Sequence, residues 1–139
     1  MAKRDLYHNI TEAQISIPIA AHTAAVAIGS AATIDTYGYH GVVLEVLCGT
    51  ITDGTHSFTL YESDTDVTGN YTSVAAGDML GAFANVTTST ASNQRVGYIG
   101  SKRYLRVVSA VSGATTGGVY GVAAILGYPM HAPAPTTAG

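Results

Sequence analysis

The chain has 139 residues, which is enough for one domain with a substantial core and too few for two. Charged residues make up only 11% of the sequence, against roughly 25% in soluble domains generally. The net charge of −3 argues against a general nucleic-acid binder, which usually has a strong basic excess. A surface so poor in charge is typical of a protein that works while covered by neighbours.

The N-terminal part of the chain predicts an arm followed by an edge strand. Residues 1–16 carry charge and aromatic rings without a helical or strand period, so we expect an arm whose deletion leaves the fold intact. Pro18 interrupts the alternating residues 15–19, which favours an edge strand. Residues 37–41 predict a turn that exposes its tyrosine rings.

The most apolar segment, residues 42–48, predicts a central strand that is buried on both faces. Its one charge, Glu45, then needs a partner or a route to solvent. Cys48 is the only cysteine, which excludes an intrachain disulfide and favours a small buried hydrophobe. The Asp53-Gly54 turn and the alternating residues 57–61 then predict a hairpin.

A second hairpin is predicted for residues 93–111, because alternating apolar residues flank a Gly-Ser-Lys turn. Residues 119–126 predict the last strand, and three of the four prolines follow it. Short strands about ten residues apart, with no long helix, indicate an all-β fold. We expect a single antiparallel β-sandwich or jelly-roll-like barrel at residues 17–128, with an extended N-terminal arm at 1–16 and a Pro-rich C-terminal tail at 129–139.

The sequence lacks the usual signatures of an enzyme. The five histidines are scattered without metal-ligand spacing, and no nucleophile elbow, phosphate loop or dinucleotide fingerprint is present. We therefore expect no enzymatic activity, no catalytic residues, no cofactor and no metal. The acidic residues 62–66 leave a calcium loop open, but a solvated turn is favoured because the Gly and distal Glu of an EF-hand are missing.

The 93–111 segment also predicts a protein interface, because it holds four of the six basic residues of an acidic chain. Such a cluster more often pairs with an acidic protein surface than with phosphates, and tyrosines among the cations suit an interface. With two arm residues added, the predicted interface is Arg4, Tyr7, Arg95, Tyr98, Lys102, Arg103, Tyr104 and Arg106. Alternatively, Arg103 and Arg106 lie on opposite strand faces, and one of them pairs inside its own sheet.

Four segments of the sequence resemble one protein family. They are Arg-Asp-Leu-Tyr-His-Asn-Ile at 4–10, Phe-Thr-Leu-Tyr-Glu-Ser-Asp at 58–64, Val-Gly-Tyr-Ile-Gly-Ser-Lys-Arg-Tyr-Leu-Arg-Val at 96–107, and Leu-Gly-Tyr-Pro at 126–129. Together they resemble small virion proteins of tailed bacteriophages and prophages, in particular head decoration (cement) proteins.

The resemblance implies an all-β unit on the outer surface of the phage capsid, made in the bacterial cytoplasm. Its implied partners are the major capsid protein and neighbouring copies of itself, a trimer being one arrangement, without direct nucleic-acid or membrane contact. A head-tail connector or tail component is the alternative among virion proteins. A carbohydrate-binding β-module is the alternative of a different class, with Tyr37, Tyr39 and Tyr71 as its stacking surface.

Overall fold

Strands dominate the residues that the computed structural model describes, which are 5–11 and 13–131. In chain order they are β1 Gln14–His22, β2 Ile34–Asp35, β3 Tyr39–Ile51, β4 Thr55–Ser63, β5 Thr72–Ser73, β6 Met79–Leu80, β7 Gln94–Tyr98, β8 Tyr104–Ser112 and β9 Gly118–Pro129. Two single-turn 3₁₀ helices, Thr68–Asn70 and Ala76–Asp78, flank β5.

The strands form two open antiparallel sheets that pack face to face. One sheet has five strands in the order β1-β9-β3-β7-β6, and the other has four in the order β2-β8-β4-β5. The predicted all-β sandwich is confirmed, whereas the barrel alternative is wrong because neither sheet closes.

The core lies between the sheets and contains apolar residues from the segments predicted to be strands. Leu44 of β3 and Val107 of β8 are fully buried, so both sheets contribute predicted core positions. Residues 42–48 do lie in a central strand, since β3 pairs with β7 on one side and β9 on the other. The expectation of burial on both faces is wrong, because Leu47 on the outward face is 42% exposed. Glu45 lies on that same outward face, which is its route to solvent.

Both predicted hairpins are wrong in their pairing, although their strands exist. The strands β3 and β4, joined by the Asp53-Gly54 turn, belong to different sheets, as do β7 and β8. The connections therefore cross from one sheet to the other at the edge of the core. Each strand has an apolar face, and both sheets direct those faces into one shared core.

The sheet extends into both predicted terminal segments. β1 begins at Gln14, three residues inside the predicted arm, and contains Pro18 at a sheet edge with register shifts near it, as an edge strand allows. The backbone N–H of Thr11 donates to the Leu126 carbonyl over 2.8 Å. At the other end β9 continues to Pro129, and residues 132–139 of the predicted tail lie outside the described part.

Candidate protein interface

The outward face of the five-stranded sheet is mainly apolar. Its strand register places Leu80, Gly97, Val43 and Ile125 side by side in one row across four strands. The adjacent row holds Arg95, Glu45, Ala123 and Ile15. Leu80 is 59% exposed, and Ile15 and Leu47 are also exposed. We call this surface the sheet face, formed by Ile15, Val43, Glu45, Leu47, Leu80, Arg95, Gly97 and Ile125. It has the character of an interaction surface, since large exposed apolar patches on soluble domains usually mark one.

A shallow groove of about 360 Å³ continues the sheet face toward one end of the sandwich. Its apolar walls include Ile10, Val43, Ile99 and Ile125, and no Asp, Glu, Lys or Arg of the described ranges lines it. A second groove of about 380 Å³ adjoins it and shares four of its lining residues. That second groove is more polar, because Lys102 and Arg103 line it.

Exposed apolar side chains gather where the two grooves meet. Tyr37 is 71% exposed and Tyr128 is 80% exposed, and Ile99 and Met130 are more than half exposed. We call this surface the aromatic end, formed by Tyr37, Tyr39, Ile99, Tyr128 and Met130. An amphipathic tyrosine ring can be buried by a partner while its hydroxyl stays solvated, so these side chains suit a protein contact.

Tyr128 has an unusual backbone as well as an exposed ring. Its φ of 52° is the only positive value at a non-glycine residue in the described part of the chain. The ring lies on Gly41, where an added Cβ would come within 2.7 Å of Tyr128 Cδ2, so this close approach requires glycine. Because the Tyr128 ring is exposed, core packing does not account for this strained backbone conformation. Backbone strain of this kind is common at functional positions.

Two of the predicted interface cations already pair within the chain. Lys102 forms an ion pair with Asp64. Arg103 binds Asp35 through two hydrogen bonds of 2.8 and 2.9 Å, and its guanidinium stacks on Tyr37 and Tyr104 at 4.7 and 4.8 Å. The hydrogen bond from Arg103 holds the pKa of Asp35 below its usual value. Both ion pairs lie beside the aromatic end. They hold charged side chains in fixed positions at its edge.

Arg106 serves the chain's own fold. It is 9% exposed, and its guanidinium donates to the Ile28 carbonyl over 2.7 Å, to Thr33 Oγ1 over 2.9 Å and to Asp66 Oδ1 over 3.0 Å. It also stacks on the buried ring of Tyr71 at 4.6 Å. Both arginines therefore pair within the chain, Arg103 with Asp35 and Arg106 with Asp66, whereas the alternative expected only one of them to do so. Because Tyr71 is buried, it also cannot join Tyr37 and Tyr39 in a carbohydrate-stacking surface.

The remaining predicted interface residues differ in how accessible they are. Tyr98 is buried; its hydroxyl donates to Glu62 Oε2 over 2.5 Å and accepts from the Lys102 backbone N–H over 3.0 Å. Burial and the Glu62 carboxylate raise the pKa of Tyr98. Tyr7 is exposed, and Arg4 lies outside the described residues. The interface assignment itself stays a prediction.

Arg95 differs from every other described cation. Lys102, Arg103 and Arg106 each have an acidic partner, but the Arg95 side chain has no hydrogen-bond or ion-pair partner among residues 5–11 and 13–131. Glu45, directly opposite on β3, also lacks one in that part of the chain. The sheet face therefore carries one free charge of each sign.

The acidic residues 62–66 are occupied by separate partners. Glu62 accepts from Tyr98, Asp64 pairs with Lys102, and Asp66 with Arg106. Within the described ranges no three His, Cys, Asp or Glu side chains come together as a set that could hold a metal ion. No described helix is both long enough and apolar enough to cross a membrane.

Comparison with known proteins does not identify a family for this chain. No protein-family model matches the chain, and no curated protein matches it. Among solved structures, a chain from the structure of infectious bursal disease virus Gx strain is similar at 16% identity and a TM-score of 0.26. The match covers 84% of this chain and 40% of the viral one. A likeness at that TM-score carries no argument about function.

Proposed function

We propose that the protein is a structural virion protein of a tailed phage, a capsid decoration protein that binds the outside of the head and stabilises contacts between major capsid subunits. The observation that carries the proposal is the aromatic end, where Tyr37, Ile99, Tyr128 and Met130 are exposed together. The four sequence segments that resemble phage decoration proteins support the same role.

The aromatic end is suited to a partner protein rather than to a reaction. Its side chains are mostly apolar rings and aliphatic groups, and the cations at its edge are already paired with Asp35 and Asp64. We therefore propose a non-enzymatic role without a cofactor, in which the aromatic end contacts the major capsid protein. The protein would be made in the bacterial cytoplasm and act on the capsid surface.

Stabilisation follows from mass action. A protein that binds only the expanded shell stabilises that state by RT ln(1 + [L]/Kd) at each site, which is about 2.7 kcal/mol when its free concentration is 100 times Kd. A shell repeats that gain at every site, so weak individual contacts suffice. The aromatic end supplies such a contact without requiring the domain to refold.

Binding of purified protein to expanded shells of the encoding phage tests this proposal. Tyr128→Asn removes the ring and keeps a residue that tolerates positive φ, and Ile99→Asn removes a second exposed side chain. We expect each to weaken shell binding by about tenfold or more, or ~1.4 kcal/mol, with unchanged melting temperature. Val67→Asn is the matched control, because Val67 is an exposed apolar residue outside the aromatic end.

Full occupancy by both variants would refute docking through the aromatic end. Copy number in purified particles tests the position in the virion, since a connector is present in a few rings and a decoration protein covers the shell. A copy number matching a single ring would refute the decoration role. Retention on a glycan array that Tyr37→Ala abolishes would favour the carbohydrate module instead.

A further inference from the structure

The centre of the sheet face combines an apolar row with two unpartnered charges. Glu45 and Arg95 face each other across β3 and β7, and the row beside them is Leu80, Gly97, Val43 and Ile125. Neither charged group forms an ion pair in the described part of the chain, whereas the other described cations all do. Charges left free on an exposed apolar face are available to a partner.

We propose that the sheet face binds a second copy of this chain, face to face, about a two-fold axis that runs parallel to the strands between β3 and β7. The sheet face adjoins the aromatic end through the groove that Val43, Ile125, Ile99 and Tyr128 line. This inference rests on the two charges of the sheet face, and sedimentation tests it separately from shell binding. A face with one charge of each sign and no net charge complements itself, which is the condition for an isologous contact.

The proposed axis follows from the positions of the two charges. Rotation by 180° about it places β3 of one copy above β7 of the other, so Glu45 of each copy lies opposite Arg95 of its partner copy. A two-fold axis perpendicular to the strands would instead place Glu45 against Glu45 and Arg95 against Arg95. Like charges facing each other are unfavourable, so the charge pattern selects the parallel axis.

The apolar row fits the same arrangement. The five-stranded order β1-β9-β3-β7-β6 places β6 of one copy above β9 of the other. Leu80 of one copy then lies opposite Ile125 of the second, and Val43 opposite Gly97. Sheets pack about 10 Å apart, a gap that long charged side chains and facing Leu and Ile side chains can fill. β1 falls outside the overlap, so its exposed residues are not needed for the contact.

A nucleic acid is a poor occupant for this face. Glu45 offsets the only cation in the two central rows, and phosphate binding needs several cations in one stripe. An unrelated protein could supply the opposite charges, but a second copy supplies both of them at the required positions. The test is therefore designed to separate a second copy from any other occupant.

Charge reversal with mixing tests the inference on the full chain. Glu45→Arg makes the central pair doubly positive, and Arg95→Glu makes it doubly negative. We expect the wild-type protein to sediment as a concentration-dependent dimer and each variant alone to weaken the dimer by about tenfold or more. Mixing equal amounts of the two variants should restore a dimer that contains one copy of each, which native mass spectrometry detects by mass.

Mixing separates a contact between copies from an effect inside one chain, because an intrachain defect cannot be repaired by another molecule. The heterodimer should also weaken with added salt. Thr59→Arg and Thr59→Glu are the matched controls, since Thr59 is exposed on the outward face of the four-stranded sheet, and both should remain dimeric.

The inference is overturned if the wild-type chain is a monomer or a trimer throughout the concentration range, or if the mixed variants form no heterodimer while both fold. If Glu45→Arg does not fold, Arg95→Glu still decides the matter, because Arg95 is exposed and its replacement leaves the core intact. An unchanged dimer of Arg95→Glu would then refute the inference. Loss of that dimer at unchanged melting temperature would support it.

Discussion

Replacing Arg106 by alanine tests whether this predicted interface residue belongs to the fold. The substitution removes hydrogen bonds to the Ile28 carbonyl, Thr33 Oγ1, Thr68 Oγ1 and Asp66 Oδ1. Hydrogen bonds to a charged group contribute about 1.5–3 kcal/mol each, and those to the Ile28 carbonyl and Thr33 are short. The ion pair itself adds little, because the Asp66 side chain is 45% exposed and can be hydrated, so we expect a loss of about 3 kcal/mol in all.

Thermal and urea unfolding measure this loss. At about 4 °C per kcal/mol for a domain of this size, Arg106→Ala should lower the melting temperature by about 12 °C. Arg106→Lys keeps the charge but not the planar fork or the stacking on Tyr71, so it should fall between alanine and wild type. Lys102→Ala is the control, since its ion pair is exposed and should matter little. A loss below about 1 kcal/mol for Arg106→Ala would show that the buried network does not stabilise the fold.

Two further substitutions and two deletions probe the core, the arm and one loop. Leu44→Ala should cost about 2–5 kcal/mol in urea unfolding because Leu44 is fully buried, and a loss in the surface range would contradict the assigned core. Deleting residues 1–8 should leave the melting temperature unchanged. Deleting 1–16 should lower it, since buried Ser16 Oγ accepts from the Val107 N–H over 2.9 Å. Equal melting temperatures of the two truncated proteins would contradict this expectation. Backbone N–H groups of residues 115–117 hold the pKa of Asp53 below its unfolded value, so stability should be lost as pH falls through the folded pKa. Asp53→Asn should reduce the change of the urea unfolding midpoint with pH over that range. An unchanged pH profile would refute the stabilising role assigned to the Asp53 carboxylate.

The sequence predicts the strands well but not their partners. Alternation identifies Phe58 and Val107 as inward-facing, because a strand repeats every two residues whatever lies beside it, whereas Leu44 is expected in the core only as part of a continuous apolar run. Pairing depends on which apolar faces meet across the core. A Gly-rich turn between two strands fits a hairpin and a crossing between sheets equally well, which is why both predicted hairpins fail.

The candidate surfaces could be predicted only in part. Tyr37 lies in a segment that predicts exposed rings, and the structure exposes it. The sheet face could not be predicted, because Val43 and Leu47 in an apolar run have the composition of a strand buried on both sides. The basic cluster predicts an interface role for Arg106, and the sequence gives no sign of its partners, since the Ile28 carbonyl is 78 residues away. A cation near tyrosines in sequence does not reveal an acidic partner on a distant loop.

The edge strand β1 hinders edge-to-edge aggregation when many copies of the protein lie close together. Pro18 has no N–H to offer, and register shifts between Ile15 and Ile17 and between Ile17 and Ala20 break the row of backbone groups along the strand. An incoming strand from another molecule would find no continuous template there, which is how natural sheets resist edge-to-edge aggregation. The five-stranded sheet can thus be covered on its face but is protected from lengthening sideways into a fibre along β1.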